Sequence, residues 1–258
     1  MLLANREVAT YIYKKKEGQE IPFVYRVHDL PEPEKVADFA LFAAELGYPL
    51  KIDTPKQIAK SFNQLVKAAE EREELKMLLP LAIRTMSKAA YQPENIGHYG
   101  LAFDNYTHFT SPIRRYSDVL VHRILYKNLE KPNRTNLADL EMQCVHISKM
   151  ERKAMDAERE SVKYKQTEYL KEHTGDEFKG VISGIIERGL FVQITENSCE
   201  GMITFDRLDE SFYLEGRFKA IGKMTGKVFK MGDPVTVQIL EVDMERKRVE
   251  MDLVLLPE

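Results

Sequence analysis

The residues best suited to chemistry lie in one run, Tyr106-Thr107-His108-Phe109-Thr110-Ser111-Pro112-Ile113-Arg114-Arg115-Tyr116-Ser117-Asp118. Hydroxyls, aromatic rings and two guanidiniums stand just ahead of a stretch, 113 to 129, with helical apolar spacing. That order suits a phosphate-handling loop. Pro112 fits a first helical turn, and Thr110 or Ser111 can cap it. The helix then aims its positive end and free N–H groups where Arg114 and Arg115 stand. A structural reading competes: adjacent arginines point to different sides of a helix, so one of the two can do no more than pair with a carboxylate such as Asp118. A Ser111-histidine-Asp118 triad is possible by composition and poorly motivated by order. His98, His108 and His122 suit packing and hydrogen bonding better than acid–base work.

The elements that must position this run follow from periodicity. A helix is expected over 1 to 16, closing on Lys14-Lys15-Lys16, then a turn at Glu17-Gly18-Gln19. Phe23 to His28 reads as a short strand, and helices are expected at about 33 to 47, 55 to 68 and 72 to 89, with Thr54 opening the second before Pro55. Residues 91 to 108 read as short strands and loops. A long helix is expected from Leu137 to His173, with Leu140, Cys144, Ile147, Met150, Ala154 and Ala157 on one apolar face. At Gly175 the period changes. Five strands, 178–182, 189–194, 200–203, 234–242 and 248–255, with a loose loop around Gly216, Gly222 and Gly226, indicate a small Greek-key barrel.

Composition narrows the class. The 258 residues allow two domains, with 43% hydrophobic and 31% charged residues. A net charge of −3 means that any nucleic-acid site is a local patch. Cys144 and Cys199 are the only cysteines, too few for a disulfide framework or zinc site, which points to a reducing, cytoplasmic setting. No signal peptide or membrane-span pattern is legible, and a monomer is expected. Helical periodicity at Met1 without a leader suggests a chain cut inside a helix.

Phosphodiester hydrolysis at neutral pH is most often achieved by carboxylates holding two Mg²⁺ ions about 4 Å apart. No such carboxylate run precedes the barrel; Asp104 and Asp118 are scattered.

The central run, with His98-Tyr99-Gly100-Leu101 before it and His122-Arg123 after it, resembles the signature of the RNase II / RNase R (RNB) family of exoribonucleases over about thirty residues. The barrel pattern, Phe-x-Gly-Val at 178–181 through Gly-Asp-x-Val at 232–235, resembles the S-one type of OB fold. The resemblance implies an α+β chain: residues 1–174 the mainly helical C-terminal portion of an RNB catalytic domain, 175–258 a five-stranded OB-fold RNA-binding domain. It implies a hydrolytic, Mg²⁺-dependent, processive 3′→5′ exoribonuclease that releases 5′-mononucleotides from single-stranded RNA. The metal-binding aspartates of such enzymes lie upstream, so this chain alone is expected to be inactive and to need the missing N-terminal half of the same polypeptide.

Carried over by position, Arg114 matches the catalytic arginine, a planar fork for the scissile phosphate. Ser111, Arg115 and Tyr116 are candidate RNA or phosphate contacts beside it. Glu158 matches a site that meets the 3′-terminal nucleotide. Phe191 matches a stacking aromatic, Arg188 stands where another aromatic often sits, and Lys247 and Arg248 supply charge near the final turn. Each has a bland alternative: a cap for Ser111, a solvated charge for Glu158, core for Phe191, a hairpin for the cations. The competing functional class is a non-catalytic RNA-binding protein or pseudo-nuclease.

Overall fold

The computed structural model describes residues 1–15, 19–72, 75–216 and 218–254. Lys16, Glu17 and Gly18 at the expected first turn, residues 73–74 of the expected third helix, and Leu255 at the expected last strand lie outside the described residues. The chain divides into two compact units, Met1–Val36 with Arg84–Asp156, and Ala37–Ile83 with Ala157–Glu258. No helix among the described residues is long and apolar enough to cross a membrane.

In the first unit, α1 (Leu2–Lys14) precedes β1 (Tyr25–Val27). After the excursion of α2 (Pro33–Glu45), α3 (Pro55–Glu71) and α4 (Leu78–Thr85), the chain returns as β2 (Ala90–Gln92), antiparallel to β1. A 3₁₀ turn at Tyr99–Leu101 and α5 (Tyr116–Lys127) follow, then α6 (Leu137–Glu172). One core holds the unit together: Ala9 and Ile12 of α1, Phe23, Val24, Tyr25 and Val27, Leu120, Val121 and Ile124 of α5, and Leu140, Cys144 and Ile147 of α6. The expected apolar face of α6 is buried only through Ile147. Met150, Ala154 and Ala157 are exposed, and burial resumes at Thr167 and Leu170. Alanine at helical spacing is compatible with either environment, because it favours helix without demanding burial.

In the second unit, Thr54 caps α3, its hydroxyl accepting the Gln57 N–H at 3.3 Å, and Phe39 of α2 meets Phe62 of α3 edge to face. The barrel comprises β3 (Glu177–Ile186), β4 (Gly189–Ile194), β5 (Glu200–Thr204), β9 (Pro234–Asp243) and β10 (Arg248–Leu253), closed in the order β10-β5-β4-β3-β9. Ile182, Leu190, Val192, Ile194, Ile203, Val237, Ile239 and Met251 fill it. The stretch expected to be a loose loop instead carries a three-stranded antiparallel sheet, β6 (Phe212–Glu215), β7 (Lys219–Gly222) and β8 (Val228–Lys230). Each of these strands is three or four residues long, too short to show a period.

Candidate nucleic-acid interface

Helix α5 starts at Tyr116, three residues later than expected, and neither Thr110 nor Ser111 caps it. The Ser111 carbonyl accepts the N–H groups of Arg114 and Arg115 at 3.3 and 3.1 Å, closing a separate turn around Pro112 and Ile113. No side chain caps α5, and the turn ahead of it is held from inside the helix instead. Asp118, in the first turn and fully buried, reaches back so that Oδ2 accepts the Ser111 N–H at 2.7 Å and the Arg115 guanidinium at 2.8 Å, while Oδ1 accepts the Ser117 hydroxyl at 3.0 Å. A carboxylate there also meets the positive end of the helix.

The adjacent arginines therefore differ. Arg115 is 19% exposed and paired with Asp118, with its Nε buried and unbonded among the described residues. Arg114 is exposed, and its guanidinium has no hydrogen bond or ion pair among the described residues. Tyr116 and Ile113 are exposed beside it.

The preceding run is pinned from three sides. Asn5 of α1 is buried; its amide donates to the Tyr106 hydroxyl at 3.1 Å and its carbonyl accepts the Phe109 N–H at 3.0 Å. Tyr106 also takes the Arg26 N–H on its carbonyl at 2.9 Å, and the Thr107 hydroxyl donates to the Val24 carbonyl at 2.6 Å. His122 of α5 stacks on Phe109 and hydrogen-bonds its carbonyl at 2.8 Å.

Behind the run lies a polar cluster. Arg26 pairs with Glu151 at 2.6 Å and lies over the Tyr91 ring, whose hydroxyl meets His108 Nδ1 at 2.7 Å. Burial, with help from the Arg115 and Arg26 charges, pushes His108 down to about 4. Burial, His28 and Arg26 do the same to His98. Both imidazoles are therefore neutral at pH 7, consistent with positioning. His98 Nδ1 accepts the Leu101 N–H at 3.2 Å, which requires that tautomer.

In the second unit, Phe191 is half-buried on β4. It is in register with Gly184 and Met202, and its ring packs so closely that a Cβ at Gly184 would approach it to 3.3 Å. Arg188 is exposed in the turn before it. Lys247 sits in the β9–β10 turn at φ 51° and is ion-paired with Glu160 of α6. Arg248 is exposed at the start of β10, opposite Asp243. Glu158 is exposed on α6, with no hydrogen bond or ion pair among the described residues. The structure thus brings Ser111, Arg114, Arg115 and Tyr116 together in the first unit, and places Glu158, Arg188, Phe191, Lys247 and Arg248 in the second.

Sequence reasoning missed Asn5, Arg26 and Glu151 as supports. Arg26 and Glu151 are 125 positions apart, so nothing local signals the pair. Asp118 was visible as a partner of an arginine, but its bond to the Ser111 N–H was not. As to metal, among the described residues no group of three or more His, Cys, Asp or Glu is placed to hold an ion. Mg²⁺ therefore has no three-ligand site among the described residues.

Residues 1–131 match the RNB domain and residues 171–253 the S1 RNA binding domain. The chain is 41% identical over 260 residues to a ribonuclease R from Aquifex aeolicus, a match covering 98% of this chain and 36% of that protein. It resembles the apo form of Mycoplasma genitalium RNase R with a TM-score of 0.87 at 29% identity, over 98% of this chain and 40% of that one. The same enzyme in complex with ribose methylated single-stranded RNA gives 0.87 at 30%, with the same coverage. The chain thus spans about a third of the length of the ribonuclease R relatives it matches. With its first half matched by the RNB domain, ahead of an S1 RNA binding domain, the chain belongs to the RNB family of ribonucleases.

Proposed function

We propose that these 258 residues act as the C-terminal portion of a hydrolytic, processive 3′→5′ exoribonuclease that releases 5′-mononucleotides from single-stranded RNA. The observation that carries this reading is the exposed Arg114 guanidinium, unpaired among the described residues and set beside an Arg115 already held by Asp118. A planar fork binds two phosphoryl oxygens at once, and it stabilises most when charge develops on them. Ser111 and Tyr116 flank that position. In the barrel, Phe191 offers a ring to a base, with Arg188 and Arg248 beside the strand path. That a ribonuclease R was solved with single-stranded RNA supports RNA as the ligand.

The metal ligands of the reaction we place outside these residues, supplied by the remaining part of such an enzyme. The chain alone is then an RNA-binding half-site in the cytoplasm, a setting favoured by its two buried, unbridged thiols. The second reading is a non-catalytic RNA binder or pseudo-nuclease, in which Arg114 and the barrel bind RNA without cleaving it. The test is incubation of the chain with labelled single-stranded RNA and Mg²⁺. Salt-sensitive retardation without shortening is expected; mononucleotide release would refute the half-site reading, and no retardation would refute RNA binding.

A further inference from the structure

The two adjacent guanidiniums are not equivalent, and one buried carboxylate makes them so. Asp118 has no exposed surface, and each of its oxygens is occupied: Oδ2 by the Ser111 N–H and the Arg115 Nη2, Oδ1 by the Ser117 hydroxyl. The bond to Ser111 fixes the entry of the turn and the bond to Arg115 fixes its exit. Between these points Pro112, Ile113 and Arg114 are exposed, and Arg114 has no partner among the described residues. The charge of Arg115 is neutralised within this contact, so at this turn an approaching anion meets the guanidinium of Arg114, which is uncompensated among the described residues. Asparagine could not do the same: its oxygen could still face Ser111 and Arg115 and its amide could donate to the Ser117 hydroxyl, but it lacks the charge that holds Arg115.

We propose that Asp118 is the positioning residue of the interface: it withdraws Arg115 into the fold and holds the 111–115 turn so that Arg114 alone faces an RNA phosphodiester. This rests on the reading of Arg114 as the phosphate contact.

The test is site-resolved arginine labelling with phenylglyoxal, read by peptide mass spectrometry, with and without a short oligouridylate. In the folded wild-type chain Arg114 labels faster than Arg115 by about tenfold or more, the scale set by a charge-assisted pair, and RNA slows Arg114. In Asp118→Asn the two arginines label at similar rates and RNA no longer slows Arg114 selectively. A thermal melt shows whether that variant is folded; if it is not, the wild-type ratio decides. Equal labelling of Arg114 and Arg115 in the wild type overturns the proposal. So does a folded Asp118→Asn chain in which Arg115 is freed but RNA protects Arg114 as before, since Asp118 would then be merely structural. A wild-type chain with the labelling ratio intact but no protection by RNA upholds the clamp and overturns the RNA reading of Arg114.

Discussion

Replacing Asn5 with alanine tests how the interface is held from the far end of the chain. The substitution removes the donor to the Tyr106 hydroxyl and the acceptor of the Phe109 N–H, both at the heart of the run that leads to Arg114. Tyr106 is 4% exposed, so its hydroxyl has little access to water once orphaned. A buried polar group left unpaired costs about 1–3 kcal/mol, and Phe109, only partly buried, takes the lower end of that range. Alanine returns up to about 0.7 kcal/mol of helix propensity in α1. The net loss is about 1–3 kcal/mol in the first unit. Urea unfolding followed by circular dichroism measures it, and amide exchange at Phe109 locates it, with that N–H expected to lose its protection. A loss below about 0.5 kcal/mol, the scale of an unremarkable surface substitution, would show that Asn5 does not hold the run.

Other outcomes follow from the same geometry. Gly189→Ala would put a Cβ 2.1 Å from the Ile203 carbonyl oxygen and 2.9 Å from the Thr204 Cα; it should cost the barrel about 3 kcal/mol or more in a denaturant titration and weaken RNA binding through Phe191. His98 and His108 are both pushed down to about 4 from an ordinary 6.5. The unfolded chain therefore takes up protons first, and stability is whole above pH 6.5 and falls as pH drops toward 4. Unfolding at a series of pH values checks the slope, and NMR should show these two rings not titrating from about pH 7.5 to about pH 5.5. Glu151→Gln removes the partner charge of Arg26 and should cost about 1–3 kcal/mol in thermal or urea unfolding.

Long periodic elements were legible in the chain, as were its punctuation marks. Thr54-Pro55 marked the start of α3, and the alternating Gly189 to Ile194 marked a barrel strand whose inward residues are buried. The short sheet β6-β7-β8 was not legible, because three or four residues cannot show a period. The start of α5 was misplaced for a different reason. Pro112 is as compatible with a turn as with a first helical turn, and a contact seven residues long, from Asp118 to the Ser111 N–H, decided between them. At the interface, residue types named the chemistry and the order of Arg114 and Arg115 named the ambiguity. Which arginine stays free depends on burial, and Asn5, Arg26 and Glu151 act across more than a hundred positions.

The central claim is that Arg114 meets an RNA phosphate and Arg115 does not. The salt dependence of RNA binding by the 258-residue chain measures this most directly, because each phosphate neutralised on a single strand contributes about −0.7 to the slope of log Kobs against log salt concentration. Arg114→Ala should make that slope less negative by about 0.7 with a few-fold loss of affinity at low salt. An unchanged slope in a folded Arg114→Ala chain would contradict the account.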